Sequence, residues 1–445
     1  MKKQRFFAVF ALFAALTFVA AACADDEGDG TGDTGPTDTT GGAVDCEADE
    51  FGCVEIAAGE PIHIASLLAI SGDVAFLGTD SNNGITLAID NLDGALDATP
   101  GQLLGHDIEF TQEDDGCSAE GGQAGGTALA ADTTIVAVIG TSCSSSALGV
   151  ADTILSDVGV LLFSPSNTNP GLTSEEAHQT FYARTAHNDK IQGAIAAEFV
   201  FNELGIDTAA TINDESPYAD GLATAFRDNF EALGGTITAI EQVNSADTDL
   251  GPVLTSIGEG APGIVYGPNF PPVCGLTFTQ GADILPEGTI HMGADGCLES
   301  SFFETVGDAP GTYHASSPDV TVFQGGDYYS DTFIPAYEEQ FGTQPTSVFH
   351  AHAFDASNVL FAAIEQVAVD DGSGNLTIPR TALKDAVFAT SGYEGMTGII
   401  TCTELGDCAT DVTIGIFEYP NWPVEGGEEP TDAIYVDTKT LADVI

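Results

Sequence analysis

Two short apolar runs, Ile135–Ile139 and Val158–Phe163, each stop abruptly at a cluster of small hydroxyl residues. The first passes into Ser142-Cys143-Ser144-Ser145-Ser146 and the second into Ser164-Pro165-Ser166-Asn167-Thr168, while Ala147–Leu155 between them reads as a short crossover helix. In a parallel α/β sheet, ligands gather beyond the carboxyl ends of strands, beside helix N-termini whose N–H groups lack partners. Two successive ends lined with hydroxyls, small enough for close approach, point to a pocket for a small ligand carrying a carboxylate or similar acceptor. Taken singly, each cluster is also what a turn or an N-cap uses.

The same alternation extends along the chain. Ile62–Ile70 reads as a buried strand entering Ser71-Gly72-Asp73, and Thr79–Leu92 as a helix with Ile85, Ala88, Ile89 and Leu92 on one side. His106–Thr111 is a second strand ending at Asp114-Asp115-Gly116-Cys117, and Ala119–Ala131 is a Gly- and Ala-rich helix suited to close packing. This repetition predicts a doubly wound parallel sheet. A second series of the same kind begins near Asp189. Its strands are Thr208–Asn213, Thr236–Val243, Gly263–Tyr266 and Thr289–Met292, with helices over Asp189–Leu204, Gly221–Leu233 and Leu250–Ile257. Tyr328–Phe341 and Ala351–Ala368 are helical but have no sheet of their own in this reading. Gly398–Cys402 and Asp411–Tyr419 read as closing strands, and Ala433–Asp437 as an edge strand or loop.

Charge and cysteine narrow the setting. Nine Lys and Arg stand against 68 Asp and Glu, a formal net charge of −59. Nucleic acid and anionic lipid surfaces would repel such a chain, so neither is expected as a partner. Met1–Arg5 is basic, Phe6–Ala22 is an uncharged apolar run too short for a membrane span, and small residues precede Cys23. That pattern resembles a lipoprotein signal over residues 1–22, with the lipid on Cys23. Residues 23–59 then read as an acidic tether, disordered over Ala24–Glu50, where almost nothing can be buried. Beyond Cys23 eight cysteines remain, an even number in an oxidising compartment. Cys46–Cys53 and Cys402–Cys408 make local pairs; Cys117–Cys143 and Cys274–Cys297 would then link strand ends. Zinc is the competing reading, but no CxxC occurs.

Enzyme chemistry finds little footing. There is no G-x-S-x-G, no H-E-x-x-H, and no phosphate-cradling G-x-G-x-x-G or P-loop after a strand. His350, His352 and Asp355 have near-metal spacing on a helix, yet no metal site or cofactor is expected.

Five motifs in order, Leu68-Ala-Ile-Ser-Gly72, Asp114-Asp-Gly-Cys117, Gly140-Thr-Ser-Cys-Ser-Ser-Ser146, Ser164-Pro-Ser-Asn-Thr168 and Met292-Gly-Ala-Asp-Gly296, resemble the type I periplasmic binding proteins over about residues 60–419. The resemblance is to the branched-chain amino acid (leucine/isoleucine/valine) binding lipoproteins of ABC importers. It implies an α/β fold of two doubly wound parallel-sheet domains joined by three crossovers, near Arg184–His187, Thr312–Ser317 and Gly398–Glu418. One lobe would be residues 60–185 plus 318–397, the other 186–317 plus 398–445. It also implies a non-enzymatic, monomeric, lipid-anchored protein outside the cytoplasm that delivers its ligand to a permease and ATPase.

Residue by residue, the resemblance gives Ser144 the ligand's α-carboxylate, with Ser142 and Cys143 in the same run. Ser166 and Thr168 would contact carboxylate and ammonium, and Asp295, beside Gly296, would pair with the ammonium. Tyr218 would close the pocket from the second lobe, and Phe76 would lie at the side-chain pocket. It further implies the Cys117–Cys143 disulfide. Two departures stand out: Asp295 is one methylene shorter than the family's Glu, and Gly267–Cys274 replaces a usual tyrosine with either Asn269 or Phe270. Polar amino acids, amides or urea therefore stay open as ligands, as does a sensor feeding a receptor rather than a permease.

Overall fold

The computed structural model describes residues 46–298, 302, 305–306, 312–319, 326–419 and 433–444. The apolar leader, Cys23 and the tether up to residue 45 lie outside them. Two sheets organise the chain. The first runs, edge to edge, Gln102–Leu103, His106–Asp114, Ile62–Leu68, Ile135–Gly140, Leu161–Ser164 and Tyr182–Arg184. All its neighbours are parallel except the short edge strand Gln102–Leu103. The second runs Tyr435–Thr440, Asp411–Tyr419, Tyr313–Pro318, Ile290–Ala294, Ile264–Tyr266, Thr208–Asn213 and Thr236–Gln242. Its two last-arriving strands, from the C-terminal part of the chain, add antiparallel to a parallel core. Ile62–Leu68 is buried at all seven positions because helices cover both faces of its sheet, which is why it reads as a continuous apolar run.

Helix packing fixes the site's framework. In the Ala119–Ala130 helix, a side chain at Gly122 or Gly126 would collide with Ser146 or Val150 of the Ser144–Val150 helix, so small residues allow that close approach. On the opposite side of the sheet, Gly84 lets the Ala75–Asp90 helix touch the backbone of His350 on the Phe349–Val367 helix. A buried polar knot locks this second pair. Asp80 accepts from Tyr337 Oη (2.7 Å), Ser347 Oγ (2.8 Å), Thr346 N (3.0 Å) and His350 Nδ1 (3.0 Å).

Burial alone would raise the Asp80 carboxyl, but the His350 charge and the hydrogen bonds from His350, Tyr337 and Ser347 outweigh it and hold the group below its ordinary value. A depressed carboxyl contributes stability above its unfolded pKa and loses it as pH falls through the folded value. Asp80→Asn is therefore expected to lower the denaturant midpoint at pH 7, and the gap to the wild type should narrow as pH falls below 3.8, the group's ordinary value. The same knot disposes of His350, His352 and Asp355 as a metal trio. His350 faces Asp80, whereas Asp355 accepts from the backbone of Met396 (2.8 Å) and Thr397 (2.7 Å). Among the described residues no group of three or more His, Cys, Asp or Glu is placed to hold a metal.

Several expectations need correction. The tether ends earlier than residue 59: Cys53–Ile56 is a strand paired antiparallel with Leu376–Pro379, and Val54 and Ile56 join the first lobe's core. Two alternate apolar residues and the Cys46–Cys53 disulfide suffice to order this segment. The second crossover begins after Pro318, because Tyr313–Pro318 pairs with Asp411–Tyr419 throughout its length. The first lobe also continues past residue 397, since Ile400 and Cys408 sit in its core with Met396. Finally, Val273–Ile284 is a helix that the Pro- and Gly-rich run before it conceals. The disulfides Cys117–Cys143, Cys274–Cys297 and Cys402–Cys408 form as expected.

Candidate functional site

The strand ends of both sheets converge on one small interlobe pocket. Its lining comes from Leu77, Ser142, Cys143, Ser144, Ser166 and Phe349 on the first lobe, and Tyr218, Phe270, Asp295 and Gly296 on the second. The lobes touch beside it, where Asn169 Nδ2 donates to the carbonyl of Pro217 (2.6 Å).

One end is a polar cradle built by the two hydroxyl-rich strand ends. Buried Asp115 accepts from Ser142 N (2.7 Å) and Cys117 N (2.7 Å), and Ser142 Oγ accepts from Ala69 N (2.9 Å). With the Cys117–Cys143 disulfide, these bonds hold the entry to the Ser144 helix rigidly. Ser144 begins the helix Ser144–Val150, which continues through Ala151–Leu155; Ser146 N donates to the Cys143 carbonyl (3.0 Å), and the N–H groups of Ser144 and Ser145 before it have no acceptor within the helix. The Ser144 hydroxyl accepts from Asn169 N (3.3 Å), leaving its proton available for an anion. Ser166 differs: its hydroxyl already donates to the Ser142 carbonyl (2.9 Å), so toward a ligand it can only accept.

The other end is acidic. Asp295 follows the strand Ile290–Ala294 and its Oδ1 accepts from Gln192 Nε2 (2.7 Å) and Tyr218 Oη (3.3 Å). Burial pushes its carboxyl up to about 6, against the hydrogen bonds from Gln192 and Tyr218. Tyr218 Oη in turn accepts from Gly296 N (3.2 Å), and its ring lies 4.8 Å from that of Phe270. A side chain at Gly296 would come within 2.9 Å of the Tyr218 ring, so glycine here keeps the aromatic lid close. Gln192 is itself held by His187 Nε2 (2.5 Å) and the Ser316 carbonyl (3.0 Å). Between the two ends the wall is apolar, formed by Leu77, Phe349 and Phe270.

Ser142, Cys143, Ser144, Ser166, Tyr218, Asp295 and Gly296 are thus brought together. Phe76 is set back, packing partly buried on the cluster that contains Leu77 and Phe349. Asn269 turns away into the second lobe, where Nδ2 donates to the Ile212 carbonyl (3.3 Å), and Phe270 supplies the wall. Thr168 lies behind the lining, its carbonyl accepting from Asp189 N (3.0 Å). Leu77, Phe349 and Gln192 were not legible as site residues. Leu77 and Phe349 sit in helical stripes that explain them equally well as core, and Gln192 sits in the first turn of a helix.

Comparisons with known proteins agree with this architecture. A family model described as "Periplasmic binding protein" matches residues 61–411. The chain is 28% identical over 349 residues to the Leu/Ile/Val-binding protein BraC3 of Rhizobium johnstonii, covering 78% of this chain and 88% of the relative. It is 27% identical over 314 residues to the leucine-, isoleucine-, valine-, threonine- and alanine-binding protein of Pseudomonas aeruginosa, covering 71% and 80%. Among solved structures, the leucine binding protein LivK from Thermotoga maritima superposes with a TM-score of 0.71 at 23% identity, over 86% of this chain and all of that one (100%). A Rhodopseudomonas palustris solute binding protein in complex with benzoate gives 0.68 at 18%, over 86% and 97%. The two lobes, their strand-end cleft and the family match are those of a ligand-binding protein. The chain belongs to the periplasmic binding protein family, with the type I fold.

Proposed function

We propose that this protein captures an aliphatic α-amino acid between its lobes and presents it to an ABC permease and ATPase. One observation carries the reading: a single cavity sets hydroxyl and helix-start N–H donors at one end, a buried carboxylate at the other, and an apolar wall between them. An α-amino acid zwitterion needs that set. Its carboxylate takes Ser144, its ammonium takes Asp295 with Ser166 as a further acceptor, and its side chain lies against Leu77, Phe270 and Phe349. A ligand with a carboxylate but no amine would leave Asp295 buried without a cation, which disfavours benzoate-like acids. Aliphatic relatives such as BraC3 support leucine, isoleucine or valine over polar amino acids, amides or urea. The leader and Cys23 support a lipid-anchored monomer held at the outer face of the cell membrane, with a first lobe of about residues 53–185 plus 326–408 and a second of about 186–318 plus the two C-terminal strands. Among the described residues no helix is long and apolar enough to cross a membrane.

A thermal-shift screen tests this. A ligand at about 100 times its Kd adds about 2.7 kcal/mol to the folded state. Leucine, isoleucine and valine should give the largest shifts, with urea and short amides inert. Absence of a shift with every amino acid would remove the reading.

A further inference from the structure

Behind the acidic end of the cavity, one turn before the Gln192 that bonds Asp295, stands a second carboxyl. Asp189 opens the Asp189–Glu198 helix and is completely buried, and among the described residues neither of its carboxyl oxygens makes a well-formed hydrogen bond. The hydroxyl of Thr168 lies alongside it and is likewise buried without such a bond. A buried carboxylate with no more than one poorly placed hydroxyl beside it is costly unless it carries a proton or meets a cation. The charged and titratable groups around it supply no free cation. Arg184, at the end of Tyr182–Arg184, is committed to Asp407 (2.6 Å), the carbonyls of Asn167 (3.1 Å) and Asn169 (2.8 Å), and Thr173 (2.7 Å). Tyr218, Tyr266 and Asp295, on the same lobe as Asp189, only add negative or neutral groups around it. His187, two residues before it, is held neutral by burial, its pKa pushed down to about 3.

We propose that Asp189 and Asp295 form a two-acid cradle that must hold one positive charge whenever the lobes close, either a proton shared between them or the protonated amine of the ligand. This deepens the amino acid reading above and, for the ligand half, rests on it. Protons and ligand then compete: an entering ammonium displaces one proton to solvent, and the amine keeps its own three. Burial raises both carboxyls, Asp295 to about 6 and Asp189 well above its ordinary value with Asp295 as the next cause, which agrees with the geometry. The sign follows from linkage: the ligand-free pair binds more protons, so affinity rises with pH and is lost as pH falls through the pair's titration.

The test is calorimetric titration of the purified protein with L-leucine at pH 5 and pH 7, in buffers of different ionisation heat, beside infrared spectra of the protein alone. Wild type should bind about a hundredfold more weakly at pH 5 than at pH 7 and release a proton on binding, as one competing proton requires across two pH units. Its ligand-free spectrum at pH 7 should carry a protonated-carboxyl band. Asp189→Asn, which keeps the shape, should weaken that band, to which buried Asp115 also contributes, and cut the pH dependence to about the tenfold that Asp295 alone supplies. Equal affinity at both pH values, or an unchanged band and profile in the variant, would overturn the cradle. Weakening of the band in Asp189→Asn without any leucine binding to wild type would instead support the shared proton and overturn the choice of ligand. If the variant does not accumulate folded, absence of the band in wild-type protein alone decides against the proposal.

Discussion

Asp295→Ala is expected to weaken binding of L-leucine or its closest aliphatic equivalent by about 2–5 kcal/mol, at least a thirtyfold rise in Kd at about the lower bound. The cost has two parts: the ligand ammonium loses its buried counter-charge, and the donors of Gln192 and Tyr218 lose their acceptor. Asp295→Asn separates them, since an amide oxygen still accepts from Gln192 but carries no charge. Without ligand the sign reverses. A carboxyl whose folded pKa, about 6, lies above its ordinary 3.8 destabilises the fold once pH exceeds the latter, fully so above the former. Ligand-free Asp295→Asn should therefore be the more stable protein at pH 7.5, an advantage that fades toward pH 4. Calorimetry of binding and denaturant unfolding across pH check the two halves. A variant that binds normally would show that the ammonium site lies elsewhere.

Arg184→Met should cost about 3–5 kcal/mol of folding stability, as breaking a buried pair from one side does. The guanidinium is wholly buried and its four bonds join three separate pieces of chain: the loop after Leu161–Ser164, the short helix at Thr173, and Asp407 in the third crossover. Asp407 would be left buried without a counter-charge, with only a long bond from Asn188 Nδ2 (3.4 Å). Replacing both partners by apolar residues should recover much of the loss, because the desolvation cost disappears with the charges. Guanidinium unfolding of the single and double variants measures this. Equal stability in Arg184→Met and wild type would mean that water reaches Asp407 freely.

The order of strands and helices was legible because each buried parallel strand is a short apolar run and each ends on turn chemistry, as at Ile135–Gly140 and Leu161–Ser164. The hydroxyl cradle was legible for the same reason. The far side was not. Phe270 and Asn269 are neighbours, and their assignment depends on how a Pro-Pro segment turns between a three-residue strand and the Val273–Ile284 helix, which no periodicity reveals. Gln192 and Asp189 hide differently. They occupy the first turn of a helix, where polar residues are ordinary, and only the packing of the two lobes shows that they are buried beside Asp295.

The strand Cys53–Ile56 has a mechanical consequence. It fastens the incoming chain to Leu376–Pro379 in the first lobe, and the Arg380 backbone N–H adds a bond to Gly52 (3.1 Å). Any load arriving from residues before 46 is thus taken up as shear along a paired strand of that lobe, a geometry in which several hydrogen bonds share the force. The second lobe bears none of it. If the chain is moored at its amino end, the first lobe is the stationary jaw and the second is free to swing about the crossovers, so mooring need not slow the closure that traps a ligand.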